Sequence, residues 1–277
     1  VTPIALDHQR FLGSSVEEIA TEKAGIIKTG SLVVSALQEP EVAEILVDAA
    51  QAVGTTPAFE GNQFGIAGRE VAVGGQQLAI RGLGGEYDEL FLPLHGPHQG
   101  QNAALALAAV EAFIGGGEHR LDPDLIRAGL AGATSPGRLE VVRRSPTVLV
   151  DAAHNPAGAW ALRAAMEDSF NFAKVVGVIA ILQDKDATAI LEILEPVLSD
   201  IVVTRTTSVR AIDPTRLGEL AVEIYGEGRV TVVDNLPDAL DRAAGMADEG
   251  GFGGGVLATG SIITAAEIRM LLGVTDA

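Results

Sequence analysis

The chain has 277 residues, room for about two domains, and 47% of them are apolar, which is ample for real cores. It contains no cysteine, so a disulfide framework and a thiolate metal site are both excluded. A formal net charge of −18 argues against nucleic acid and anionic membranes as partners. With no signal peptide and no long apolar span, a soluble, cytoplasmic protein is expected. An anionic ligand must therefore be held by a few local cations and backbone amides. Lysine is scarce: Lys23, Lys28, Lys174 and Lys185 are the only four, against fifteen arginines.

Residues 1–6 read as the end of a strand already inside a fold, so an upstream portion is expected. Leu6-Asp7-His8 closes that run. Ser14 and Ser15 each have a glutamate three residues on, a capping-box signature for a helix reaching about Ala24, with Gly25 as its stop. Lys23 falls in the last turn of that helix. Taken singly, Lys23 reads as a cation facing the helix dipole and His8 as a hydrogen-bonded histidine at a strand end. Their occurrence together in one helix-turn unit weakens both readings. A strand over 32–36 and an amphipathic helix over 39–52 follow. Then comes a β-rich stretch, with strands over 64–67, 70–73, 77–80 and 86–93 broken by glycines that suit hairpins. These strands read as sheet structure and not as a site. A buried helix is predicted over 100–113. Asn102 stands in its first turn, where an amide can read an adenine edge or support the cap. A helix over 122–131 runs into the boundary at 134–137.

The second half opens on Ser135-Pro-Gly-Arg138-Leu-Glu140. The short run 147–150 is apolar and rich in β-branched residues, as in a fully buried strand. It ends on Asp151-Ala-Ala-His154-Asn-Pro156, and an alanine-rich helix begins at once. Ligands of open α/β sheets sit at the carboxyl ends of strands, so an Asp and a His at this corner are well placed to meet one. Arg138 supplies the charge suited to a phosphate. The plainer alternative is a turn, an aspartate acting as helix N-cap, and a surface arginine. Strands at 139–142, 147–151, 175–181, 201–204, 230–233 and 256–259 alternate with helices near 157–168, 186–198, 214–223, 236–247 and 261–272. That pattern predicts a doubly wound parallel sheet of Rossmann type. Gly253-x-Gly255-x-x-Ala258 matches the dinucleotide fingerprint formally. Its glycines precede the last strand instead of following the first, so a nucleotide-dependent oxidoreductase is not supported. The sequence has no Gly-x-Ser-x-Gly elbow and no Gly-Lys pair, hence no Walker A loop.

Taken together, these motifs resemble the folate-modifying branch of the Mur ligase family, the dihydrofolate synthases/folylpolyglutamate synthases. The matching residues are Leu6-Asp7-His8, Leu12-Gly13, Glu18-Ile19-Ala20-x-Glu22-Lys23-Ala24-Gly25-Ile26-Ile27-Lys28, and Leu94-His95-Gly96 with His98-Gln99 and Asn102-Ala103. They continue with Pro136-Gly137-Arg138-Leu139-Glu140, Asp151 to Pro156, Asp184-Lys185-Asp186 and Thr259-Gly260-Ser261. The resemblance implies that 1–134 is the rear part of the central ATP-binding domain and 135–277 a C-terminal Rossmann-like ligase domain. It implies an ATP-dependent ligase adding L-glutamate to dihydropteroate or folate through an acyl phosphate. His8 would be a magnesium ligand, and Lys23 the lysine that takes up CO₂ as an N6-carboxyl group beside Mg²⁺. Asn102, Arg138 and Asp151 would meet adenine, phosphates and ribose, with His154 on the same cleft. A monomer is expected. The P-loop of the family is absent from this sequence, so the chain alone is not expected to turn over ATP. The alternatives are a cell-wall Mur ligase, against which the first motif block argues, and a non-catalytic ATP-binding module.

Overall fold

A computed structural model describes residues 1–6, 13–249 and 253–274. The chain divides into two compact units, Val1–Thr134 and Ser135–Ala277.

In the first unit, α1 (Val16–Ala24) starts at Ser15, whose side chain accepts from the Glu18 amide at 3.2 Å. It buries Ile19, Ala20 and Ala24 in a cluster shared with Val42, Leu46 and Ala50 of α2 (Pro40–Ala52). The strand predicted over 32–36 is only β1 (Val34–Ser35), paired in parallel with β2 (Ala58–Phe59). The two strands predicted over 64–67 and 70–73 are one, β3 (Gly65–Ala72). The chain takes up the irregularity between them as a β-bulge at Ile66/Gly68 instead of breaking. With β4 (Gly75–Arg81) and β5 (Glu86–Leu92) it forms an antiparallel meander. Helix α3 (Pro97–Gly115) covers it, burying Ala103, Ala104, Leu107 and Ala108 against Phe64, Leu78, Ile80 and Leu90. Helix α4 (Pro123–Ala131) is N-capped by Asp122. The β4–β5 turn is tied to α3 by fully buried Glu111, which accepts from the Leu83 and Gly84 amides and the Tyr87 hydroxyl.

The second unit is the doubly wound sheet. Its strands are β6 (Glu140–Arg144), β7 (Thr147–Val150), β8 (Lys174–Ile179), β9 (Asp200–Val203), β10 (Val230–Val232) and β11 (Gly254–Thr259), in the order β10-β9-β8-β11-β7-β6. All neighbouring pairs are parallel except β6 with β7. The two-residue link Ser145-Pro146 leaves no length for a crossover, so β6 has to run antiparallel. The sheet is buried on both faces, and side chains alternate cleanly. Leu149, Ile179, Ile201, Val203 and Leu257 meet α5 (Pro156–Ser169), α6 (Ala187–Leu194) and α7 (Pro214–Tyr225). Val148, Val150, Val176, Val178, Val202 and Val256 meet α8 (Leu236–Glu249) and α9 (Ile262–Leu271). Helix α6 stops at Leu194, short of the predicted 198, because Pro196 turns the chain into a 3-10 segment.

Candidate active site

Strand β11 lies between β7 and β8, yet the helix that follows it packs on the opposite face from the helices that follow its neighbours. This is the switch point of the sheet, where chain ends diverge and leave a crevice. The ends of β7 and β11 are joined there, the Gly260 amide donating to Ala153 O at 3.1 Å. Gly260 holds φ +105, and a Cβ on it would stand 2.7 Å from Ala180 O, so the approach of the β8 and β11 ends requires glycine. Asn155, not Asp151, caps α5, its Oδ1 accepting from the Gly158 amide at 2.7 Å. Ser261 caps α9 in the same way and also bonds the Thr264 hydroxyl.

Asp151 has a different task. Its Oδ2 accepts from the Leu139 amide and its Oδ1 from the Ala153 amide, both at 2.8 Å. The Ala152 amide donates to Gly137 O at 2.8 Å, so the turn at 135–139 is tied to the end of β7 on two sides. Within the turn, Arg138 N donates to Ser135 O. Gly137 has φ +70 and Leu139 φ +46. The left-handed conformation is unfavourable for leucine by about 1 kcal/mol, and a buried side chain together with the Asp151 bond holds it there. Arg138, between these two inverted residues, is left exposed. Burial pushes the Asp151 carboxyl up to about 6 from 3.8, against the two amides and the nearby charges of Arg138 and His154. His154 is half-buried, and its Nδ1 stands 2.9 Å from Ala152 O. With Nδ1 as the donor, the neutral ring carries its lone pair on Nε2. Arg138, Asp151 and His154 are therefore gathered at one corner of the sheet. An apolar hollow of about 810 Å³ by the ends of β9 and β10 has none of the three in its lining. In the neighbouring corner after β8, Asp184 is ion-paired with Arg210 at 2.5 Å and Asp186 caps α6.

In the first unit, Lys23 is exposed in the last turn of α1. His8 lies outside the described residues. Asn102 is exposed and its Nδ2 donates to Gln99 Oε1 at 3.2 Å. The helix begins at Pro97 and not near 100, because proline at the first position is pre-shaped for it. Asn102 therefore falls in the second turn, too deep to support the cap. Gln76 does not stand out in the sequence as a site residue. Its side chain, fully buried in β4, donates to Leu94 O at 2.8 Å and Gly96 O at 3.1 Å and accepts from Arg69. It thus holds the loop that leads into α3. A signal was present: Gln76 shares the inward face of the strand with Leu78 and Ile80, where an amide has to find partners.

The family model for the glutamate ligase domain of Mur ligases matches residues 137–262. Over 99% of its length the chain is 44% identical to the dihydrofolate synthase/folylpolyglutamate synthase of Mycobacterium tuberculosis. Residues 137–262 thus resemble the glutamate ligase domain of the Mur ligases, and the similarity to the synthase runs over nearly the whole chain. It is 32% identical to the Lacticaseibacillus casei folylpolyglutamate synthase over 98% of its length. The M. tuberculosis folylpolyglutamate synthase solved with ADP and AMPPCP superposes with a TM-score of 0.93 at 45% identity, covering 100% of this chain and 64% of that one. Escherichia coli FolC in complex with DHPP and ADP gives 0.81 at 31% identity, covering 98% and 60%. The chain spans 60 to 61% of the curated M. tuberculosis and L. casei relatives. Its similarity runs to the folate branch of the Mur ligases through both units. Among the described residues, no helix is long and apolar enough to cross a membrane.

Proposed function

We propose that this chain is part of an ATP-dependent acid–amino-acid ligase that adds L-glutamate to dihydropteroate or folate through an acyl phosphate. The observation that carries this reading is the 44% identity, over 99% of the chain, to a dihydrofolate synthase/folylpolyglutamate synthase. The crystallised relatives with ADP, AMPPCP and DHPP support nucleotide and pterin substrates for the same chemistry.

In this reading Arg138 meets the phosphates of ATP. An exposed guanidinium on a turn held by buried hydrogen bonds is preorganised for charge that develops during phosphoryl transfer, and needs little rearrangement to act. Asp151 fixes that turn and, at the strand end, also faces the ribose. His154 orients the glutamate amine or the transferring group from the same corner. Asn102 reads the adenine. Magnesium, when bound, neutralises phosphate charge, and His8 and an N6-carboxylated Lys23 would hold it. Among the described residues no three His, Asp or Glu side chains gather closely enough for a metal site.

The test is incorporation of labelled L-glutamate into dihydropteroate and into tetrahydrofolate, with stoichiometric ADP formation. It is run on the 277-residue chain and on the product of its complete reading frame. ATP-dependent incorporation by the latter, and none by the former, is the expected result. Transfer of another amino acid to a UDP-linked precursor would favour the cell-wall branch. Nucleotide binding without incorporation would leave a non-catalytic module.

A further inference from the structure

The turn that carries Arg138 has a third restraint, made by residues with no part in the site as described. Gly137 donates its amide to Glu140 Oε2 at 2.7 Å. The same carboxylate oxygen lies 2.9 Å from Arg269 Nε, on the last turn of α9, and both side chains are three-quarters or more buried. A second contact joins the same two elements. Gly137 sits over Ala265 of α9, so closely that a Cβ on it would stand 3.3 Å from the alanine methyl. The terminal helix thus packs against the turn by shape at Ala265 and by charge at Arg269.

From this geometry we infer that Glu140 and Arg269 are positioning residues, which set the turn at 135–139 so that Arg138 is presented outward. The inference rests on the assignment of Arg138 to phosphate. Asp151 holds the rear of the turn through Leu139, and Glu140 holds its front through Gly137. Glu140 by itself is a flexible side chain with water within reach. Arg269 keeps its carboxylate aimed at the Gly137 amide. It also neutralises a negative charge that stands two residues from Arg138 and would otherwise compete with phosphate for the guanidinium. Removing one partner of a largely buried pair leaves an uncompensated charge, so either truncation disturbs the turn.

The experiment measures affinity for MgADP and for adenosine by calorimetry, on the product of the complete reading frame. Arg269→Met and Glu140→Ala are made alone and with Arg138→Ala. Each is expected to weaken MgADP by about tenfold while leaving adenosine within about twofold. In the Arg138→Ala background neither should weaken MgADP by more than about twofold, since the brace then has nothing to present. Arg269→Lys, which keeps the charge, should restore most of the affinity. Unchanged MgADP affinity in Arg269→Met overturns the inference, as does equal loss for both ligands or an additive loss with Arg138→Ala. If Arg138→Ala itself leaves MgADP affinity unchanged, the phosphate assignment falls instead. The brace is then judged by hydrogen exchange at the Gly137 amide, which should lose protection in Glu140→Ala and Arg269→Met. Unchanged protection there overturns the brace on its own.

Discussion

The two motif-bearing segments, the α1 block of the first unit and the turn with the β7 end in the second, are equally distinctive in sequence and unlike in structure. Lys23 stands exposed at the end of a nine-residue helix that is held by one small cluster of apolar side chains. Arg138 is also exposed, but the amides of Gly137, Arg138 and Leu139 and the Gly137 carbonyl are all hydrogen-bonded within the fold, and the neighbouring Leu139 is kept in a left-handed conformation. A charge at a bare helix end acquires its role from what binds beside it. A charge on a braced turn is already committed before any ligand arrives. The comparison teaches that motif strength and structural preorganisation are separate properties, and that chemistry is directly legible only where the second is present.

The largest effect is expected at Lys23. A free ammonium beside magnesium has the wrong sign, whereas a carbamate supplies hard oxygen ligands. Under the proposed function Lys23→Ala should lose on the order of a thousandfold or more in turnover. Short carboxylates should recover part of it, and wild-type activity should depend on bicarbonate. A magnesium-bound crystal structure with unmodified Lys23 paired to a glutamate would reduce it to a helix-end cation, and the contrast with Arg138 would then be complete.

Arg138→Ala should lower kcat/KM by about 3 kcal/mol, on the order of a hundredfold. Its thermal midpoint should stay close to wild type, because an exposed guanidinium contributes little to packing. Arg138→Lys should recover only part of the rate, since the planar two-point contact is gone. Wild-type kinetics in the alanine variant would return Arg138 to the surface.

Asp151 sharpens the comparison through pH. Its folded value, about 6, lies above the ordinary 3.8, so between these limits the folded unit binds more protons than the unfolded chain. Stability is then highest below the lower limit and falls as pH rises through the upper one, by up to about 3 kcal/mol. Denaturant titrations at about pH 4, near the lower limit, and about pH 7, beyond the upper one, should show the fall in wild type and a flatter profile in Asp151→Asn. An identical slope in the variant would assign the effect elsewhere.

The smallest effect compares the caps. Asn155→Ala, at a part-buried cap beside the site, should cost about 1 to 2 kcal/mol. Ser15→Ala, at an exposed one, should cost about 0.5 to 1 kcal/mol. Equal costs measured by thermal unfolding would mean that the two segments are equally well supported after all.

Much of this was legible without coordinates. Period-2 and period-3.6 patterns located the elements of the second unit to within a few residues, because a sheet buried on both faces leaves long apolar runs and helix caps mark their own ends. Placing Asp151 and His154 at one corner needed only the rule that ligands meet strand ends; Arg138 joins them because β6 runs antiparallel to β7, which the expected parallel sheet did not contain. Local irregularities were not legible: whether Gly68 breaks a strand or bulges it depends on the β4 partner, and the start of α3 turns on Pro97.

The amino-acid sequence by itself determined the alternation of strands and helices, the residue types at the strand ends and the motifs that resemble those of Mur ligases, since each rests on neighbours along the chain. Tertiary structure alone decided that Asp151 bonds the Leu139 amide and not its own helix, that Gln76 holds the loop before α3, and that Arg269 reaches Glu140. These pairings join residues distant in sequence through a hydrogen bond or an ion pair. No local pattern encodes such a contact, because the identity of the partner follows only from how the layers pack.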